Sequence, residues 1–350
     1  MRHRRILAFL TLNAIACQGL SAQAGPPNLT LNVLYSFANG ESPNASVVVG
    51  TNGSFHGTTA TGGPNNFGGV YEVTANGVLT NEFWLDGTNG STPTAPLIQG
   101  KGGNFYGTAS RGGVSNNGTI FRVTSAGIQL VASFGNTNGA TPLAPLLEGT
   151  NGWFYGTTFN GGSSDLGSIF AINDAGVLTN VYSFGGSDGA NPAAGLIEGT
   201  DGNLYGTTEY GGADDFGTVF QLTYAGLVTN LCSFTIQTGK FPGGLIEDAK
   251  GNLYGATING GFDSVGTIFK VITSNTLQTI VVSNIPQTFF TSNALQTLFS
   301  FGITNGANPD SPLTAGNDGN WYGTTEDGGA SGLGTVFYFN TNGFLAFSLP

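Results

Sequence analysis

The stretch LIEGTDGNLYGTTEYGGADDFGTVFQLTYAGLVTNLCSF, residues 196–234, decides the fold, because the chain spells it six times with variations. Its Tyr205-Gly206-Thr207-Thr208 recurs as His56-Gly57-Thr58-Thr59, Tyr106-Gly107-Thr108-Ala109, Tyr155-Gly156-Thr157-Thr158, Tyr254-Gly255-Ala256-Thr257 and Tyr322-Gly323-Thr324-Thr325. The glycines stand 50, 49, 50, 49 and 68 residues apart. A period in that range signals a propeller or a solenoid.

Each unit holds four short runs, A to D, too short for helices and rich in β-branched and aromatic residues. In the quoted unit they are residues 195–198, 204–208, 217–222 and 228–234. Asp201-Gly202 between A and B is a tight-hairpin pair, since both central residues of the favoured turn need positive φ. Asn52-Gly53, Asn151-Gly152 and Asp318-Gly319 repeat it. Four strands joined by hairpins make a meander with two apolar faces, which must be buried against neighbouring copies. Radial stacking also protects the sheet edges. The links between units are uniform, as in Asn138-Gly139-Ala140-Thr141-Pro142 and Asp188-Gly189-Ala190-Asn191-Pro192, except that the fifth unit keeps only Gly239 and Pro242. The expected fold is therefore all-β, a β-propeller of about six four-stranded antiparallel blades. Seven positions with one degenerate blade, or an open β-repeat array, are the alternatives.

One propeller domain is expected over residues 25–350, with units at about 33–85, 86–134, 135–184, 185–234, 235–283 and 295–348 and an insertion at 284–294. Residues 33–37, VLYSF, form a D run with no A, B or C before it. They are expected to complete the last blade beside residues 335–339, in competition with the D-like run 344–348. In the fifth unit the usual offset puts run D at 277–283. A second D-like run at 295–301 makes the stretch between them either a repeat remnant or an added surface hairpin.

Residues 1–24 read as a secretory signal peptide: Arg2, Arg4 and Arg5, an apolar run from Ile6, then Ala22-Gln23-Ala24 as the cleavage site. The protein is expected outside the cell or in the periplasm; the alternative is a lipid anchor through Cys17. No later stretch approaches the ~20 apolar residues needed to span a bilayer. The remaining chain carries six basic and twenty acidic residues, a net charge of −14, which disfavours nucleic acid and anionic membranes as partners. Cys232 then stands alone in a D run as small core filler, with no disulfide partner.

The units YGTTxxGGxxxxGTxF, followed by SF and a Gly-x-x-Pro link, resemble the GloVer tandem repeats of secreted bacterial proteins, over about residues 33–348. The resemblance implies export, often with a C-terminal sorting or anchoring segment, and implies no particular activity. This chain departs from that pattern in stopping at Pro350, just after its last D run.

No residue set declares a reaction, and none calls for a cofactor or a metal. His56 takes the tyrosine position of the first unit; it is either a ring-shaped substitute for tyrosine or a base in the central funnel. Gln99, Glu148, Glu198 and Glu247 end run A in four units, where Val49 and Ala315 break the set. They are either solvated strand ends or a partial collar that binds a cation or sugar hydroxyls. Asp165, Asp214, Asp215 and Asp263 read as turn residues rather than a calcium site, and the Thr-Thr pairs as strand formers rather than a flat binding array. Trp84, Trp153 and Trp321 occupy unequal positions and form no ladder for sugar stacking. The expected function is a secreted binding or scaffold module for a polysaccharide or cell-surface partner. A lyase or glycosidase with a funnel site and a structural envelope protein are the alternatives.

Overall fold

Every repeat folds as a four-stranded sheet, and all but the fifth draw their strands from the four expected runs. The structure, a computed structural model, describes residues 33–37, 41–273, 277–282, 285–290, 294–340 and 345–348. The first sheet comprises β1 (Val48–Val49), β2 (Phe55–Thr59), β3 (Gly69–Val73) and β4 (Leu79–Trp84). The second comprises β5 (Ile98–Gln99), β6 (Phe105–Ala109), β7 (Thr119–Thr124) and β8 (Gly127–Ser133). The third comprises β9 (Leu147–Glu148), β10 (Phe154–Thr158), β11 (Ser168–Ile172) and β12 (Leu178–Ser183). The fourth comprises β13 (Ile197–Glu198), β14 (Leu204–Thr208), β15 (Thr218–Leu222) and β16 (Val228–Ser233). The fifth begins with β17 (Lys240–Glu247), β18 (Leu253–Asn259) and β19 (Thr267–Ile272). A hairpin, β20 (Leu277–Val282) and β21 (Ile285–Phe290), intervenes before β22 (Ala294–Ser300) completes it. The sixth comprises β23 (Thr314–Ala315), β24 (Trp321–Thr325), β25 (Thr335–Phe339) and β26 (Leu345–Ser348). Each sheet is an antiparallel meander, and no helix occurs among the described residues.

The glycine inside each second strand is explained by close approach. A Cβ on Gly206 would lie 2.6 Å from Phe220 Cζ and 2.7 Å from Leu196 Cδ2. The tip of the third-strand aromatic ring occupies this place in all six sheets, Tyr71 replacing phenylalanine in the first.

Five apolar seams join consecutive sheets, and each draws on the same positions. Tyr205, Val219 and Phe234 of the fourth sheet pack against Leu245, Leu253 and Phe269 of the fifth. The Phe of each Ser-Phe pair meets the next sheet's third-strand Phe, as Phe134–Phe170, Phe184–Phe220, Phe234–Phe269 and Phe301–Phe337, with centroids 4.9 to 5.3 Å apart. Removing one such buried ring costs about 3–5 kcal/mol. The sixth sheet's outward face differs: Val336 is 50 % exposed, whereas its counterparts Val70, Ile120, Ile169, Val219 and Ile268 are at most 3 % exposed.

Two expectations are corrected. The fifth sheet's last strand is β22, not the run expected at 277–283: β19 pairs with β22 from Thr267↔Ser300 to Ile272↔Ala294, and Leu277–Val282 form one strand of the added hairpin. The reason is the seam. Ser300 is followed by Phe301, which fills the fifth seam against Phe337, whereas Val281-Val282-Ser283 offers no such ring. Residues 33–37 do not pair beside β25, because β26 takes that edge with Phe337↔Phe347 in register. A strand that returns through a short local connection closes a smaller loop than one from the other end of the chain. Phe37 instead packs edge-on against Tyr71 of the first sheet, centroids 4.8 Å apart. It thus makes the contact that the Ser-Phe ring of a preceding sheet makes elsewhere.

Candidate functional site

Two hydrogen-bonded latches line the first four seams, and they absorb most of the polar residues that the sequence singles out. In the first latch the leading threonine of each Thr-Thr or Thr-Ala pair donates to a carbonyl of the next sheet. Thr58 reaches Ala95, Thr108 reaches Ala144, Thr157 reaches Ala194 and Thr207 reaches Gly243, at 2.9 to 3.2 Å. These hydroxyls are buried, so they offer no exposed array. The trailing threonine bonds within its own sheet, as Thr208 does with Thr218 at 2.8 Å. Thr59 lacks that partner because Gly69 stands opposite, and its hydroxyl is buried and unpaired.

The second latch runs backwards across the seam and is built from the run-A set. Gln99 Oε1 accepts from the Thr51 amide at 2.9 Å. Glu148 accepts from the Lys101 amide at 2.8 Å, Glu198 from the Thr150 hydroxyl at 2.9 Å and Glu247 from the Thr200 amide at 2.8 Å. The structure therefore places Gln99, Glu148, Glu198 and Glu247 one per seam, each clasping the preceding sheet's hairpin. It does not bring them together at one point.

His56 lies in the first seam, 8 % exposed, its ring stacked on Phe105 at 4.0 Å between centroids. Its Nε2 is 3.9 Å from Glu72 Oε1 and has no hydrogen-bond partner. Burial holds the imidazole below its ordinary pKa, and the Glu72 charge offsets only part of that. Of the phenols at the other ring positions, Tyr205 and Tyr322 anchor their own hairpins, donating to Asp201 at 2.8 Å and to Asp318 at 2.7 Å, whereas Tyr106 donates across the second seam to Asp174. Asp165 and Asp215 accept from the amides of Gly161 and Gly211 at 2.8 Å, as Asn66 and Asn116 accept from Gly62 and Gly112. That is turn chemistry. Among the described residues no three His, Cys, Asp or Glu side chains stand together as a metal cluster. Burial pushes the Cys232 thiol up to about 12, leaving it inert.

A polar groove of about 460 Å³ lies on the fourth seam. Its wall is a connected set: Gln221 Nε2 donates to Tyr205 Oη at 2.9 Å, and Tyr205 donates to Asp201. Burial, with the Asp201 bond, pushes the Tyr205 phenol up to about 12. Asp201 feels burial as well, but donors from Asn203 and Tyr205 outweigh it and hold its carboxyl below the usual range. Leu231 supplies an apolar wall, aimed there by a bulge at the shift between Val219 and Phe220 in the β15–β16 pairing. Thr229, Lys250 and Thr273 complete the rim, and Glu247 joins the hairpin side. The groove offers hydroxyls, an amide, carboxylates and one ammonium beside an aliphatic wall, which is chemistry suited to a hydroxyl-rich ligand. Sequence reading found Glu247 but passed over Asp201, Gln221, Lys250 and Thr273, because their meeting depends on how two repeats abut.

Among the described residues no helix is long and apolar enough to cross a membrane. No curated protein matches the chain. In solved structures the chain is similar to a Bacteroides uniformis protein provisionally named a 6-phosphogluconolactonase, at 16 % identity and TM-score 0.56, over 87 % of this chain and 84 % of that one. A Bacteroides fragilis protein of the same provisional name matches at 17 % identity and TM-score 0.54, over 87 % and 82 %. The extracellular domain of a hybrid two-component system from B. thetaiotaomicron matches at 13 % identity and TM-score 0.50, over 85 % of this chain and 34 % of that one. At such identities the likeness establishes the β-propeller fold alone. The family model described as the Gloeobacter/Verrucomicrobia repeat matches residues 18–154 and 129–289, and the chain therefore belongs to that repeat family.

Proposed function

We propose that this chain is an exported binding or scaffold propeller that holds a polysaccharide or a glycosylated surface partner in a groove between its sheets. The observation that carries the reading is the fourth-seam groove, where Asp201, Gln221, Glu247 and Lys250 meet beside Leu231. Export rests on the basic, apolar, Ala-x-Ala start of the sequence. The net negative charge argues for a neutral saccharide over a polyanion.

The test is calorimetry of the purified protein with soluble neutral polysaccharides, accompanied by an assay for new reducing or unsaturated ends. Binding without turnover is expected. Lys250→Ala and Thr229→Ala, both at exposed rim positions, should each weaken it several-fold, as expected for one lost hydrogen bond of ~1 kcal/mol. Turnover would replace this reading with the lyase or glycosidase alternative, and binding that ignores both substitutions would remove the groove from the account.

A further inference from the structure

A second groove, about 230 Å³ in volume, opens on the first seam and shares four repeat positions with the first. His56 stands where Tyr205 does, Glu72 where Gln221 does, Gly103 where Gly251 does and Ser125 where Thr273 does, while Phe83, which pairs with Val70 as Cys232 pairs with Val219, supplies the apolar wall that Leu231 supplies in the other groove. Both grooves pair polar side chains with an apolar wall. The intervening seams show why these two stay open. On the second seam the position after the third strand is Asp174, which bonds Tyr106 and occupies the equivalent space. On the third seam it is Tyr224, whose ring packs on Tyr155 at 5.5 Å and whose hydroxyl reaches Glu198 at 2.6 Å. Ser125 and Thr273 are too short to fill that space.

We propose that the chain is bivalent, with two like grooves three seams apart that take separate units of one neutral, repeating saccharide. This inference rests on the groove-binding reading above. A polymer that reaches both grooves gains avidity from the second, intramolecular engagement. Polyanionic glycans are disfavoured by Glu72 in one groove and by Asp201 and Glu247 in the other.

The third seam supplies the plug for the test. Ser125→Tyr and Thr273→Tyr each copy Tyr224 into a groove whose surroundings match, since Gln99 with Thr51 and Glu247 with Thr200 stand where Glu198 and Thr150 do. Laminarihexaose, cellohexaose and maltohexaose are titrated calorimetrically, with Ser125→Ala and Thr273→Ala as open-groove controls and thermal melts to confirm folding. For the hexaose that binds, two equivalents per chain are expected. One should remain in either tyrosine variant and none in the double variant, while the alanine variants, which lose only a rim hydroxyl, still take up two equivalents with affinity lowered no more than several-fold. On the matching polymer each single plug should weaken binding on the order of 10²-fold.

If Thr273→Tyr alone abolishes binding and Ser125→Tyr changes nothing, bivalency is overturned while the groove reading stands. Undiminished binding by the folded double variant overturns both, as does the failure of all three hexaoses to bind.

Discussion

At the residue scale the repeat's signature letters divide into space and hydrogen bonding. Gly206 is glycine because Phe220 occupies the place of its Cβ. Gly206→Ala should therefore cost about 1–3 kcal/mol, the range for overpacking a core, and a urea titration should show a lower midpoint with an unchanged slope. His56 shows what happens when one letter changes. Its folded pKa is depressed by burial, so the unfolded chain takes up the proton more readily and stability falls as pH drops through about 6.5. His56→Tyr should be neutral or stabilising at pH 7 and should flatten that acid-side decline. A variant that still loses stability as steeply between pH 7 and 5 would place the titration elsewhere.

At the element scale the unit of cohesion is the seam. Seams one to four combine a buried aromatic cluster with two polar latches. The fifth has Ala256 where the threonine donor would be and Ala315 where the acceptor would be, so it rests on packing of Tyr254, Phe301, Leu313 and Phe337. Thr207→Val should cost ~1–2 kcal/mol, because it leaves a Gly243 carbonyl unpaired at a buried seam; equal stability of the variant would make the latch decorative. Much of this level was legible in advance. The period, the Asp-Gly and Asn-Gly turns and the alternation of short runs placed all four strands of the quoted unit. What escaped was direction across the seam. Glu148, Glu198 and Glu247 look like a collar when repeats are stacked on paper, but each reaches a hairpin in the preceding sheet, 47 or 48 residues back. The fifth sheet's last strand was misplaced for a related reason: strand-forming letters at 277–283 match the offset, and only the missing seam phenylalanine distinguishes them.

At the scale of the whole molecule, six sheets joined by nearest-neighbour seams should behave as a short linear array, with stability summed over units and interfaces. The sixth sheet has one unlatched seam and an outward face on which Val336 is half exposed, so it should open first. Native-state hydrogen exchange should give the lowest opening free energies for residues 314–340 and the highest for β10, β11, β14 and β15. Uniform protection across all six sheets would instead indicate a ring whose closure couples its ends. The placement of residues 33–37 bears on the same point, since Phe37 caps Tyr71 of the first sheet rather than extending the sixth. The grooves belong to this scale too, for they arise where neighbouring repeats leave the space after the third strand unfilled.

The most direct measurement of the central claim, that ligand enters between sheets, is hydrogen-exchange mapping of the full protein with and without a saturating neutral oligosaccharide. The account predicts new protection confined to the groove segments, residues 200–205, 221, 229–231, 247–251 and 273 on the fourth seam and residues 72–83, 103–106 and 123–125 on the first. Protection that avoids these segments and falls instead on the loops at 62–67, 112–117, 161–166 and 211–216 would contradict it.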